Sequence, residues 1–120
     1  MYNGKHFIIE PIGLEIFYKD LPSVKTFDQY KSLCLGMKGD GWRIPTIKEL
    51  SYMYGLHSLG LLGFDSSRAY FSTTNKLDSL GNVKPYVVQC ISFLDGDLIG
   101  GATISYKTDF KVRPVRTISL

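Results

Sequence analysis

Pro45 imposes the tightest local constraint on this chain. It lies in the stretch Asp40-Gly41-Trp42-Arg43-Ile44-Pro45-Thr46. A residue that precedes proline is driven out of the helical region into an extended conformation. A helix can therefore begin only after Ile44. Thr46 follows at once, with Glu49 three positions on. That spacing makes a capping box, in which the Thr46 hydroxyl accepts from a first-turn amide and the Glu49 carboxylate accepts from the Thr46 amide. Ile47, Leu50 and Tyr54 then recur at helical spacing and predict a helix over 46–57. Trp42 reads as a core anchor, and a buried Arg43 needs a carboxylate, for which Glu49 is a candidate. The stretch reads as architecture rather than as a ligand site.

The surrounding chain supplies the rest of a small α+β domain. His6 to Glu10 and Leu14 to Tyr18 read as two strands joined by Pro11-Ile12-Gly13. Phe27, Tyr30, Leu33, Cys34 and Met37 fall on one helical face, with Thr26 as cap and Gly36 or Gly39 as stop. Leu56 to Arg68 reads as a loop whose Leu59, Leu61, Leu62 and Phe64 tuck under the core. Tyr70 to Thr74 has strand composition, and Asn75 to Lys84 reads as a second loop. Tyr86 to Leu94 and Asp97 to Tyr106 form a hairpin around Asp95-Gly96, with Gly100-Gly101 marking a bulge. Phe110, Val112 and Val115 belong to a last strand, in which Pro114 needs an edge or a bulge. A chain of 120 residues with no repeat or linker fits one domain, 1–120.

Composition narrows the function classes. The net charge is +3 and no run of consecutive Lys or Arg occurs, so no nucleic-acid partner is indicated. No apolar run reaches the roughly 20 residues of a membrane helix, so no membrane insertion is expected. Met1 to Glu10 lacks the pattern of a signal peptide. The compartment stays open between an intracellular protein and one whose export signal is missing from this chain. The two cysteines, Cys34 and Cys90, sit in no metal-ligand spacing and read as small buried hydrophobes. A disulfide between them is not readable from sequence. His6 and His57 are far apart and in no ligand pattern. Asp95 and Asp97 fall well short of the roughly six to eight oxygens that calcium takes. No metal, cofactor or catalytic residue is expected.

The order of motifs resembles one family. Gly13-Leu14, Trp42-Arg43-Ile44-Pro45-Thr46 with Glu49-Leu50, Tyr70-Phe71-Ser72-Thr73-Thr74 and Val112-Arg113-Pro114-Val115-Arg116 run in the order seen in the Legionella collagen-like C-terminal domain family. That resemblance implies a C-type-lectin-like fold: two helices packed on a twisted, mainly antiparallel sheet, with N- and C-terminal strands adjacent. It implies a structural role for Trp42, Arg43, Pro45, Thr46, Glu49, Tyr70, Ser72, Arg113 and Arg116. Pro114 stands where many members have a cysteine, expected to pair with one on the first helix. Cys34 on that helix thus lacks its usual partner. The family is distantly similar to formylglycine-generating enzymes, whose paired cysteines near the C-terminus have no counterpart after Cys90. Family members are often exported or displayed on the bacterial cell surface.

These readings converge on a non-catalytic recognition module for an unknown glycan or protein. Its variable surface is expected on the 56–69 and 75–85 loops, with Phe64, Asp65, Arg68 and Tyr86 as ligand-facing residues. An oligomerising scaffold is the alternative, and an enzyme related to sulfatase-modifying factors is the third reading. Arg113 and Lys111 share a strand face, expected to be solvated.

Overall fold

A computed structural model describes residues 7–9, 13–22, 27–37, 41–61, 63–66, 68–103 and 110–118. The expected Thr26 cap, His6, Gly39 and Leu62 lie outside the described residues, as does the side chain of Tyr86. The chain runs β1 (Phe7–Ile9), β2 (Leu14–Ile16), α1 (Phe27–Leu35), α2 (Ile47–Ser58), β3 (Ala69–Leu77), β4 (Val83–Ser92), β5 (Leu98–Thr103) and β6 (Val115–Thr117). Two three-stranded sheets result, ordered β1-β2-β6 and β3-β4-β5. Every strand pair in both is antiparallel.

The β1–β2 hairpin forms as the sequence implies. Gly13 takes φ 61° there, and a side chain at that position would come within 2.9 Å of the Ile118 carbonyl. Only glycine permits that backbone with that neighbour. β2 then pairs with β6, matching Glu15 to Arg116. The first and last strands of the described chain thus belong to one sheet. β6 begins directly after Pro114, whose carbonyl accepts from the Phe17 amide at 2.9 Å. The last segment is shorter as a strand than expected: Lys111 makes only an isolated parallel bridge to Tyr70.

The paired stretch of β3 and β4 around Tyr70–Phe71 and Cys90–Ile91 is buried on both faces, as strand alternation sends neighbouring residues to opposite sides. Phe71 and Cys90 join Phe27, Tyr30 and Cys34 of α1 in one core. Tyr70 and Ile91 join Leu50 and Met53 of α2, with Leu14, Ile16 and Val115, in the other.

β3 departs from the expected boundaries. It continues through Asn75-Lys76-Leu77, where polar composition had suggested a loop. Asn75 makes this possible: its side-chain amide donates to the carbonyls of Lys84 (3.1 Å) and Val87 (3.3 Å). Those bonds bridge a register shift at which β4 carries extra residues, Pro85 among them. A proline, which has no amide to donate, is tolerated at such a bulge. At the other turn, Gly96 has φ 81°, and the Ser92 amide donates to Asp97 O at 2.9 Å. The Gly100-Gly101 pair falls at a register shift between β4 and β5.

One expectation about the core is corrected. Leu59 and Leu61 project into solvent rather than under the core. They follow the last turn of α2, where the amides of Leu59 and Leu61 donate back to Gly55 and Leu56. That closure holds the backbone at the surface.

Candidate functional site

The capping box is present in full. The Glu49 amide donates to Thr46 Oγ1 at 3.2 Å, and the Thr46 amide donates to Glu49 Oε1 at 2.9 Å. Arg43 reaches the same carboxylate with both terminal nitrogens, at 2.6 and 2.8 Å. This fork fixes the helix start and the preceding extended segment as one unit. Burial works to raise the Glu49 carboxyl. The Arg43 fork and the Thr46 hydrogen bonds overcome it and hold Glu49 below the usual carboxylate range. The Glu49 hydrogen bond likewise raises Arg43.

A bulge in β3 completes the unit. Between Phe71 and Asn75 the pairing with β4 slips, so Ser72, Thr73 and Thr74 step out of register. The Ser72 hydroxyl, fully buried, donates to Gln89 O at 2.7 Å. Thr73 donates its amide to Pro45 O at 2.8 Å. Thr74 Oγ1 accepts from the Ile47 amide at 2.8 Å, adding a second cap to α2. The Ser-Thr-Thr composition serves this docking, which the sequence reading had assigned only to a strand.

Trp42 is buried beside the same unit. Its ring meets Phe17 edge-on at 5.3 Å. The Arg116 guanidinium lies 4.6 Å from its centroid while Arg116 Nε donates to Glu15 Oε1 at 2.6 Å. Arg116 is thereby held between a buried carboxylate and an aromatic face.

Arg113 requires a correction. It was expected on a solvated strand face with Lys111, yet it is 4% exposed. Nε donates to Asp20 Oδ1 at 2.9 Å, and the terminal nitrogens donate to the carbonyls of Gly63 (2.8 Å) and Phe17 (3.4 Å). Its guanidinium also lies 4.2 Å from the Phe64 ring centroid. The Tyr70 hydroxyl donates to Asp20 Oδ2 at 2.7 Å and accepts from the Asp65 amide at 2.9 Å. Burial, and then the Asp20 charge, push the Tyr70 hydroxyl far above its ordinary range. Every group here has partners, which is how a buried charge is tolerated.

This network absorbs two of the expected ligand-facing residues. Phe64 packs inward against Tyr70 (5.4 Å), Phe93 (4.7 Å) and His57 (5.8 Å). Asp65 holds Tyr70 through its backbone and lies 3.7 Å from Arg68 in a partly exposed ion pair. Tyr86 stands on β4.

A cleft opens elsewhere, between α1 and the Trp42–Ile44 segment. Its volume is about 130 Å³. Lys31, Cys34 and Leu35 form one wall; Trp42, Arg43, Ile44 and Thr73 form the rest. The three α1 residues sit at helical spacing, so one helix face presents them together. Cys34 and Ile44 are buried, whereas Leu35 is 84% exposed at the rim. Lys31 makes no ion pair among the described residues, and its Nζ lies 6.0 Å from the Phe27 centroid. Both cysteines are buried thiols outside any disulfide, and burial pushes the Cys34 thiol up to about 11. That thiol is a neutral lining group at physiological pH. The sequence points to Cys34 and Trp42 as core and marks out neither Lys31 nor Leu35. Nothing local signals that the four meet at one opening.

Among the described residues no group of three or more His, Cys, Asp or Glu could hold a metal ion. None of their helices is long and apolar enough to cross a membrane. Comparisons of the chain with protein-family models, with curated proteins and with solved structures return no match.

Proposed function

We propose that this chain is a non-catalytic recognition domain of C-type-lectin-like fold, related to the Legionella collagen-like C-terminal domains and acting at the bacterial cell surface. The ordered motifs support the fold reading: two helices, antiparallel sheets and β2 beside β6 agree with it in outline. One observation carries the functional reading, the mainly apolar cleft between α1 and Trp42–Ile44. Its lining offers shape and apolar surface rather than a nucleophile paired with a base.

A protein ligand fits this cleft better than a glycan does. Sugar recognition uses an accessible aromatic face and several hydrogen-bonding groups, as stacking and polyol binding require. Here Trp42 is buried, with Arg116 over its ring. Arg43 already spends its terminal nitrogens on Glu49 and Thr117. An apolar side chain of a partner suits such a lining.

A glycan array with and without calcium, run beside a displayed peptide library, tests this. We expect no glycan class to bind saturably, and selected peptides to be displaced from a Leu35→Ser variant. Saturable, calcium-dependent binding of one glycan class would replace this reading with a lectin.

A further inference from the structure

We propose that the α1 cleft takes the carboxy-terminal aromatic residue of a peptide, ring inward and carboxylate toward Lys31. This rests on the reading of the cleft as the recognition site. Volume sets the size of the group: about 130 Å³ is close to the roughly 150 Å³ of an engineered apolar cavity that holds benzene. One six-membered ring is of the size that fills it.

Charge sets the second feature. None of the lining residues is acidic, and two of them, Lys31 and Arg43, are cations. Arg43 is committed to Glu49 through both terminal nitrogens. Lys31 is the cation left at the rim, on an exposed side of α1. An anion beside the ring meets it without crossing the apolar interior, so neither charge is fully desolvated. Leu35, 84% exposed next to the opening, gives the residues that precede the terminus an apolar surface to lie on. A free aromatic acid leaves that surface uncovered.

Trp42 is the single tryptophan of the chain and lines the cleft, so its fluorescence reports occupancy directly. The probes are N-acetylphenylalanine, its amide, and a short peptide ending in phenylalanine, titrated on the whole chain. We expect saturable quenching or shift, with the acid on the order of millimolar and the peptide tighter. The amide, and the acid on Lys31→Gln, should each bind about threefold more weakly. Leu35→Ser should weaken the peptide but not N-acetylphenylalanine. Both positions are exposed, and circular dichroism checks that each variant folds.

Equal binding of acid and amide would overturn the assignment, as would an indifferent Lys31→Gln. Equal affinity for acid and peptide would transfer the site to a free aromatic acid. If library-selected peptides seat in the cleft without needing a free terminus, protein recognition stands and this assignment alone falls.

Discussion

Arg113 ties two distant segments, 17–20 and 63–64, to its own with one side chain. Its donors reach Asp20, Gly63 and Phe17, and its face covers Phe64. Removing it takes the counter-charge from the Asp20 carboxylate, which keeps the Tyr70 hydroxyl, and frees the loop at Gly63. Arg113→Ala should cost about 3 kcal/mol, read as a lower urea midpoint. Arg113→Lys should recover little of this, because an ammonium cannot reach three directions in one plane. Glu49 yields a prediction about acid. Its folded pKa lies below the ordinary value, which is about 4.3 in a free chain. Its contribution is therefore full above that value and is lost as pH falls through the lower folded one. Glu49→Gln should be less stable at neutral pH and show a shallower loss of stability across the acid limb of a pH–denaturation series.

Among elements, the start of α2 and the Asp95-Gly96 turn were legible because each is set by neighbours in sequence. Thr46 and Glu49 are three apart, and the Asp95-Gly96 turn needs only itself. Arg113 was misread for the opposite reason. Its partner Asp20 is 93 residues away, and nothing in strand spacing signals a carboxylate at that distance. The β3 extension was missed because Asn75, a loop former by composition, uses its side-chain amide to mend the ladder. Turns also differ in what they tolerate. A side chain at Gly96 would lie 2.5 Å from Tyr54 Cε2, and that ring is pinned edge-on against Phe93 at 5.4 Å. At Gly81, also at positive φ, nothing lies within 4 Å. Gly81→Ala should cost about 1 kcal/mol of left-handed strain. Gly96→Ala should cost about 2–3 kcal/mol, adding steric conflict in a packed aromatic group. Paired thermal melts decide the order.

For the whole molecule, the central sheet joins the two cores. Tyr70 and Phe71 are adjacent in sequence yet belong to different clusters, as do Cys90 and Ile91. Neither core can open without disturbing the sheet they share, so unfolding should be a single transition by near- and far-ultraviolet circular dichroism. Cys34 gives an independent probe. Burial raises its thiol from 9.0 to about 11, so above about pH 9 the unfolded chain loses a proton that the folded chain keeps. Stability should fall as pH rises through that window. At neutral pH, alkylation of the Cys90 thiol, 0% exposed, should keep pace with global unfolding rather than precede it. The α+β layout was readable from periodicity, while the cleft was not. Its walls come from α1, the Trp42–Ile44 segment and the β3 bulge, and only tertiary packing brings them together.

The pairing of β2 with β6 carries a consequence for biosynthesis. Glu15 waits for Arg116, 101 residues later, and the cover over Trp42 arrives with that same arginine. While a ribosome is still extending the chain, β2 has no outer neighbour and the tryptophan face stays bare. Native closure therefore waits until β6 has cleared the exit tunnel, and the nascent chain presents adhesive surface until then.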